Sequence, residues 1–438
     1  MPKQYEIFLV ALVCLAGMLS NSVWGQPVAF HENEQSEHVD YHSFAPQMLL
    51  KHHFGSEFRK LPKNPVLRPG RGGWDRKDVA DPYVVVTADS VLLFYDGDAR
   101  DRYQIGYARR DAQGWGWEKR GRLLSGSGGA WDAYHQIAPV VLRSGDQWRI
   151  YYNGHFEDEE LGYRWGVALG KAEGGWQYPS REALIALDST AWDFAGNAYG
   201  DIIYFPEEHI YRMWYTGFQG PLAAIGLATS RDGIAWQKRV EGPVLTALPG
   251  VISPDVLFDG ERYRMFYVQL ALSAKGMGTQ IMSAESKDGI VWENMTEVLQ
   301  PAARWEGKRL MRPHVSYFEG RVQLYYCAGR GGDWQIGAAW CEAEFVPQGR
   351  WRSAPLKAGG KLRIKYEQPE GTSLSLTLHA GGNIYPLTLP QSQTLRAGVF
   401  MDTMPLPAQL AGKNINIELQ FHTTDTHRSP VVYEIVML

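Results

Sequence analysis

Acidic and basic side chains occupy one equivalent position in a segment that recurs along this chain. The position lies fourteen residues before a tyrosine, and its five occupants are Asp81, Ala138, Asp201, Ser253 and Arg312. Two carboxylates that share a site can act as general acid and general base, because their surroundings move their pKa values apart. The spacing therefore predicts an acid–base site in which Asp81 and Asp201 face each other.

A second set of residues follows two positions later, and a strand directs such residues to the same side. This set consists of Tyr83, Val140, Ile203, Asp255 and His314. Buried carboxylates and cations cost free energy unless they are paired, hydrated or used. The two sets therefore predict either catalytic chemistry or a polar network around channel water.

The recurring segment has the pattern of a propeller blade. Each copy has an opening strand, an aromatic strand that ends in tyrosine, a third strand and a closing tryptophan. The tyrosines are Tyr95, Tyr152, Tyr215, Tyr267 and Tyr326, and the tryptophans are Trp117, Trp176, Trp236, Trp292 and, loosely, Trp351. Repeats of this length with short strands are typical of propellers, in which the innermost strands line a channel. We therefore expect an all-β protein with a five-bladed β-propeller over residues 71–352.

The rest of the chain differs in composition from the repeats. Residues 355–438 have no tryptophan and predict a small C-terminal β-sandwich, and residues 26–70 read as an irregular segment. Residues 1–25 read as a signal peptide whose apolar run is too short to span a bilayer comfortably. We therefore expect a secreted or periplasmic protein without a membrane span.

Composition and motif spacing bear on partners and cofactors. The net charge of −4 gives no indication of a nucleic-acid partner, and 13% aromatic residues are common in carbohydrate-handling proteins, although blades also pack on aromatics. No His-x-x-x-His, Cys-x-x-Cys or EF-hand spacing occurs, so we expect no metal site and no cofactor. Cys327 and Cys341, on successive strands, either pair across a hairpin or remain as buried thiols.

Loops that enter the first strands or leave the second strands supply candidate substrate-binding residues. They are Asp78, Arg100, Trp131, His135, Gln136, Tyr199, Arg312 and Arg330. The three arginines could hold an anionic sugar substituent such as a uronate or sulfate, because guanidinium binds these groups bidentately. Alternatively, each arginine pairs with a neighbouring aspartate and holds a loop.

Residues 71–350 resemble the five-bladed β-propeller glycosidases, the superfamily of glycoside hydrolase families 43, 32, 68 and 117. Ala80-Asp81-Pro82 matches the first-blade motif of family 43, which carries the general base, and Ala138-Pro139 matches the second blade. Asp201 matches the carboxylate that orients the acid, with Ile202 in place of the usual proline. The resemblance implies an exported glycoside hydrolase that acts on a poly- or oligosaccharide by inversion, and it allows a single axial cation such as calcium near His314.

The chain departs from the family pattern at the general acid. Family 43 places a glutamate before Gly-Pro on the fourth blade, whereas this chain has Ser253-Pro254-Asp255. The acid is then Asp255, His314 or a loop carboxyl such as Glu157 or Glu159. The alternative is a non-catalytic glycan-binding propeller associated with surface or extracellular polysaccharide. A protein-interaction scaffold is disfavoured, because it does not need an acidic channel mouth.

Overall fold

The computed structural model describes residues 26–30, 33–41, 43, 45, 47–99, 102–110, 116–124, 126–144, 147–155, 162–171, 174–273 and 276–438. These residues are almost entirely β structure, as predicted, and contain three short 3-10 turns at Ala130–Asp132, Arg304–Glu306 and Ala408–Leu410. Within those ranges no helix has the length and apolar character needed to cross a membrane. The predicted signal peptide, residues 1–25, lies outside the described residues.

Short strands come first in the chain. They are β1 (Gln26–Pro27), β2 (Asn33–Glu37), β3 (Val39–Asp40), β4 (Leu49–Leu50), β5 (His52–Phe54) and β6 (Arg59–Lys60). β3 pairs with β4, and the other four pair with strands from later in the chain. The region predicted to be irregular therefore contributes edge strands to several sheets.

The middle of the chain forms five four-stranded antiparallel sheets. The first four contain β7 (Asp78–Val86), β8 (Val91–Asp98), β9 (Tyr103–Arg110), β10 (Trp117–Arg122); β11 (His135–Ser144), β12 (Gln147–His155), β13 (Arg164–Lys171), β14 (Gly174–Gln177); β15 (Gly196–Phe205), β16 (Ile210–Gln219), β17 (Leu222–Ser230), β18 (Gln237–Lys238); and β19 (Val251–Phe258), β20 (Tyr263–Ser273), β21 (Gly276–Ser286), β22 (Glu293–Leu299). The fifth contains β23 (Leu310–Phe318), β24 (Arg321–Arg330), β25 (Asp333–Cys341) and the early strand β6.

The first strands of the five sheets surround a common axis. β7, β11, β15, β19 and β23 contact one another in that order, and β23 contacts β7. The sheets are therefore arranged as in a propeller, with the strands that carry the candidate site innermost.

The remainder of the chain forms two larger sheets, apart from Ala343–Phe345, which pairs with β5. Its strands are β26 (Ala343–Phe345), β27 (Gln348–Ser353), β28 (Leu356–Lys357), β29 (Lys361–Glu367), β30 (Thr372–Ala380), β31 (Asn383–Leu387), β32 (Gln393–Arg396), β33 (Val399–Pro405), β34 (Asn414–Thr423) and β35 (Val431–Met437). One sheet has the order β1-β35-β29-β33-β32, and the other has β2-β27-β34-β30-β31, with β28 beside β34. Trp351 lies in β27 and so does not close the fifth repeat, where β6 takes the fourth place instead.

The tyrosine of four repeats is explained by a recurring packing unit. A Trp-Asp or Trp-Glu pair precedes the first strand; the indole stacks on the tyrosine ring, and the acid accepts a hydrogen bond from its hydroxyl. The pairs are Trp74-Asp75 on Tyr95, Trp131-Asp132 on Tyr152, Trp192-Asp193 on Tyr215 and Trp305-Glu306 on Tyr326. The fourth sheet has Thr246-Ala247 at that place. The tyrosine column that sets the phase of the repeat therefore marks a buried structural contact.

The hydrophobic core is divided among the interfaces between sheets. The largest cluster joins the fifth and first sheets to the two C-terminal sheets and includes Tyr326, Trp351 and Leu419. Smaller clusters fill the spaces between consecutive sheets, for example around Trp148 and Trp214. This packing fixes the first strands around the axis.

Candidate active site

Every first strand contains a β-bulge with a residue in the left-handed backbone region. These residues and their φ angles are Asp81 at 49°, Ala138 at 57°, Tyr199 at 41°, Ser253 at 56° and Arg312 at 51°. A residue other than glycine is uncommon in this region, which costs about 1–3 kcal/mol and is often found at functional sites. Five such residues around one axis indicate that this ring is a functional site.

The bulge register corrects the predicted position of Asp201. In the third sheet the left-handed residue is Tyr199, which lies sixteen residues before Tyr215, whereas the other four lie fourteen before their tyrosines. Asp201 pairs with Trp214, just as Asp255 pairs with Phe266 in the fourth sheet. Asp201 therefore belongs to the second set, in place of Ile203, and does not face Asp81 within the first ring.

A bulge leaves the N–H group of its left-handed residue unpaired, and for the second, third and fourth sheets a side chain of the preceding sheet accepts from it. Asp96 Oδ1 accepts from Ala138 N at 3.1 Å, Asn153 Oδ1 from Tyr199 N at 2.8 Å, and Thr216 Oγ1 from Ser253 N at 2.8 Å. The acceptor always follows the tyrosine of the second strand. Since Asn and Thr perform this task without charge, the bulge does not require a carboxyl group at Asp96.

Asp96 also lies in hydrogen-bonding contact with Asp81. Burial and then the charge of Asp81 raise the pKa of Asp96 well above its usual range. Burial also raises the pKa of Asp81, although Arg312 and hydrogen bonds from Asp96 and Cys327 oppose that shift. Two carboxyl groups in contact cannot both ionise easily, so we expect the pair to share one proton. Asp96 was not among the predicted catalytic residues. What distinguishes it in the sequence is its charge, because its structural counterparts Asn153 and Thr216 are neutral.

Arg312 and Tyr199 border the carboxyl pair within the first ring. Arg312 Nε lies 4.0 Å from Asp81 Oδ1, and its Nη1 donates to the Gly200 carbonyl at 3.4 Å. The guanidinium also lies over the Tyr199 ring, 5.8 Å from its centroid. These contacts bring three predicted site residues together: a carboxylate, a fixed positive charge and an aromatic ring at the N-terminal ends of the first strands.

The second set forms a structural network beneath this ring. Asp201 Oδ2 accepts from Val256 N and Asp255 Oδ2 from Val315 N, each at 2.9 Å, so each carboxylate holds the next first strand. His314 Nδ1 contacts Asp255 Oδ1 at 2.8 Å, and its Nε2 contacts the Val84 carbonyl at 3.1 Å.

This network limits what His314 can do. Burial opposes a charge on His314, but the Asp255 carboxylate outweighs burial and raises the histidine pKa. Its two ring nitrogens are both engaged by these two partners, and the ring stacks on Tyr83, with ring centroids 4.0 Å apart. Neither nitrogen is then available to a sugar or a cation. The predicted catalytic roles of Asp255 and His314 therefore gain no support from the geometry.

Asp201 should make the protein less stable as pH rises. Burial and then the Asp255 charge raise the pKa of Asp201 to about 7, so the folded protein holds a proton there that the unfolded chain releases near pH 4. Unfolding free energy therefore falls between these pH values, by on the order of 1.4 kcal/mol per unit of pKa difference. Asp201→Asn keeps an oxygen for Val256 N and should flatten the decline in melting temperature between pH 4 and 7, as measured by calorimetry. Parallel curves for the two proteins would contradict this account.

The predicted substrate-binding residues divide into several groups. Trp131 is only 8% exposed; it stacks on Tyr152 and donates from Nε1 to the Arg181 carbonyl at 2.9 Å. Its contacts are those of a packing residue, and its role in sugar contact stays a prediction. Gln136 is also buried and donates to the Asp132 carbonyl.

Two further predicted residues hold loops around the mouth. Asp78 accepts from Tyr103 Oη at 3.0 Å and from Trp334 N at 2.7 Å, and it pairs with Lys77. His135 Nδ1 accepts from Tyr103 N at 3.1 Å. Arg330 lies apart on the rim of the fifth sheet, while Arg100, Glu157 and Glu159 lie outside the described residues.

The remaining predictions concern cysteines and metals. Cys327 and Cys341 are both buried free thiols, and Cys327 Sγ lies 3.6 Å from Asp81 Oδ1. In the part of the chain that the structure describes, no three His, Cys, Asp or Glu side chains are grouped so that they could hold a metal ion.

Comparisons with known proteins agree with this architecture. No protein-family model matches the chain. The uncharacterized protein Rv1502 of Mycobacterium tuberculosis is 28% identical over 244 residues, which cover 52% of this chain and 80% of that protein.

Solved structures are similar at lower sequence identity. A glycoside hydrolase matches with a TM-score of 0.53 and 17% identity, over 64% of this chain and 92% of its own. A glycosyl hydrolase from Bacteroides ovatus matches with a TM-score of 0.50 and 16% identity, over 66% and 94%. A third structure matches with a TM-score of 0.51 and 14% identity, over 66% of this chain and 94% of its own. It is described as belonging to the GH130 family of mannoside phosphorylases, which contains glycoside hydrolases that target β-1,2 mannosidic linkages in Candida mannan. The chain thus has the propeller-like fold of these glycoside hydrolases, as its blade openings predict.

Proposed function

We propose that this protein is a glycoside hydrolase in which Asp81 is the general base. The observation that carries the proposal is the buried Asp81–Asp96 contact beside Arg312, in which the pKa values of both carboxyl groups are raised, in the strained ring at the axis. Strongly shifted pKa values with a specific charged partner are typical of catalytic groups. In the third and fourth sheets the N–H group of the bulge is accepted by a neutral side chain. The carboxyl group of Asp96 is therefore best explained by a catalytic role.

In the proposed reaction Asp81 takes a proton from water as the oxygen attacks the anomeric carbon. Asp96 keeps its own proton and donates a hydrogen bond to Asp81, and Arg312 stabilises the Asp81 carboxylate until it accepts the proton. Since burial raises the pKa of Asp81, this carboxylate is a stronger base than an exposed aspartate. Tyr199 offers an aromatic face on which a sugar ring can lie.

The leaving oxygen requires a proton from a different residue. Two carboxyl groups in contact cannot lie on opposite sides of a glycosidic bond, since inverting enzymes separate theirs by about 6.5–9.5 Å and retaining enzymes by about 5–5.5 Å. Asp81 and Asp96 therefore act together on one side. We propose that the acid is a loop carboxyl, Glu157 or Glu159, and that the reaction inverts the anomeric configuration.

The proposal extends to architecture and location. Five sheets with first strands in a closed circle support a five-bladed β-propeller, and the five- and six-stranded sheets support a C-terminal β-sandwich. The apolar run within residues 1–25 supports export to the periplasm or the outside of the cell.

A second candidate is a non-catalytic glycan-binding propeller. It is favoured by the fourth sheet, where Ser253 occupies the ring and no glutamate precedes it. In this case Tyr199 and Arg312 would hold a sugar, and Asp81 would only accept hydrogen bonds from its hydroxyl groups.

A substrate panel tests the proposal directly. The purified protein is incubated with aryl glycosides, with β-1,2-linked mannosides and with neutral and acidic polysaccharides, and released sugar is measured. We expect hydrolysis of at least one class, with proton NMR showing that the first-formed anomer has the inverted configuration. Binding without release of sugar across the panel would favour the second candidate. A product with retained anomeric configuration would exclude the proposed role of Asp81 as the base that activates water in an inverting reaction.

A further inference from the structure

Two adjoining depressions lie on the rim of the fifth sheet, with volumes of about 550 and 490 Å³. Their walls are formed by the segment that leads into β23 and by the turn after β24. They carry four exposed cations, namely Arg304, Lys308, Arg309 and Arg330. We call these four side chains the cationic rim. Volumes of this size fall in the range of ligand pockets.

Acidic side chains are scarce around the three arginines of the cationic rim. Among the described residues, no carboxylate forms an ion pair with Arg304, Arg309 or Arg330, and the larger depression has no acidic side chain in its wall. Asp333 is the acidic residue that borders the smaller depression. Surface arginines usually find a carboxylate neighbour when one is within reach, so this arrangement leaves several guanidinium groups available to an external anion.

The backbone beneath the cationic rim is held in a fixed shape. Gly307 bridges to Gly329, and a Cβ atom at Gly307 would lie 2.6 Å from the Gly329 carbonyl oxygen, so glycine is required for this close approach. Beside this bridge, Glu306 is buried and bonded to Lys60 and Tyr326. The Arg309 guanidinium lies over the Trp334 ring, 5.3 Å from its centroid. A pocket whose walls are already ordered loses less entropy on binding.

The cationic rim is connected to the candidate active site. Trp334, which supports Arg309, donates its N–H to Asp78 at the start of β7, three residues before Asp81. Arg309 itself lies three residues before Arg312 on the way into the first ring. The depressions and the Asp81–Asp96 pair therefore lie at the same ends of the first strands.

We propose that the cationic rim is a subsite for an anionic sugar substituent, a carboxylate or sulfate, in an acidic glycan whose scissile sugar lies over Asp81. This inference rests on the proposed function and names its substrate class. Planar guanidinium groups grip carboxylate and sulfate oxygens bidentately, and the lysine adds a mobile point charge. The predicted convergence of Arg330 with Arg312 is replaced by a convergence of Arg330 with Arg304 and Arg309.

The test compares binding of three polymers by affinity electrophoresis and calorimetry: polygalacturonate, dextran sulfate and neutral dextran. The double variant Arg304→Gln/Arg330→Gln should bind the preferred acidic polymer about 10- to 100-fold more weakly, since hydrogen bonds to charged groups contribute strongly. The matched control is Arg231→Gln/Arg262→Gln, which removes the same charge from exposed positions elsewhere and should bind like the wild type. Preference for polygalacturonate identifies a carboxylate ligand, and preference for dextran sulfate a sulfate ligand.

Several outcomes would overturn the inference. Equal binding of all three polymers by the wild type, or equal losses in the rim variant and its control, would show that the cationic rim is not a specific subsite. Hydrolysis of a neutral substrate at the wild-type rate by the rim variant, together with unchanged binding of acidic polymers, would reject this inference and leave the proposed function standing. Failure of the whole substrate panel would reject the proposed function itself.

Discussion

Asp81→Asn should lower the rate of hydrolysis by about 10²- to 10⁴-fold, the usual contribution of a positioned general base. The amide cannot accept the proton of the attacking water, but it keeps the size of the side chain and an oxygen near Arg312. Substrate affinity should therefore change much less than kcat. The measurement is steady-state kinetics on the best substrate of the panel, with binding followed separately by calorimetry. A variant with the wild-type rate would remove Asp81 from the mechanism.

Asp96→Asn is the matched control for this prediction. The amide oxygen can still accept from Ala138 N, as Asn153 does for Tyr199 in the next sheet, so folding should be preserved. Its N–H₂ group donates permanently to Asp81, which lowers the Asp81 pKa because the carboxylate form gains a fixed hydrogen bond and loses a competing acid. We expect the acidic limb of the pH–rate profile to move to lower pH. An unmoved acidic limb would show that the two groups do not share a proton.

Trp131→Ala should destabilise the protein by about 3–5 kcal/mol, the range found for buried large aromatic residues. Its ring fills the space against Tyr152 that Gly154 and Gly166 leave open, and Cβ atoms at these glycines would lie 2.5 and 2.7 Å from the indole. Removing the ring therefore leaves a cavity that rigid backbone cannot fill. Urea unfolding measures the loss.

Trp131→Phe separates packing from hydrogen bonding at this position. Phenylalanine keeps a stacked ring but loses the donor to the Arg181 carbonyl, so its cost should lie well below that of alanine. Glycan binding by either variant, measured where both are folded, should equal that of the wild type. If Trp131→Ala were as stable as the wild type and lost glycan binding, the indole would be a sugar platform.

The sequence predicted the all-β class and the propeller-like arrangement because tyrosines and turns recur at regular spacing. It placed Asp201 in the wrong ring for a specific reason. The third repeat has two more residues between the bulge and Tyr215, and a shift of two keeps a strand residue on the same face. The polar pattern therefore stayed consistent with the prediction, and only the backbone register shows the difference.

Two other differences have equally local causes. Trp131 looked like a rim residue because it precedes a first strand, yet the Trp-Asp pairs repeat with the tyrosines, and that correlation indicates packing. Asp96 was not among the predicted site residues, because its contact with Asp81 crosses from the second strand to the bulge of the first. Such a contact depends on the left-handed turn at Asp81, which spacing alone does not reveal.

The position of β6 has a consequence for the order of folding. This strand is synthesised before any of the five sheets, but its partner β25 is among the last parts of the ring to leave the ribosome. Four sheets can form from neighbouring segments as they emerge, whereas β6 must wait unpaired for its partner strand in the last sheet, which is made some 280 residues later. Arg312 is held in that last sheet. The nascent protein therefore completes its proposed active site only when the ring is sealed, so an incomplete chain would carry Asp81 without the charge that opposes its protonation.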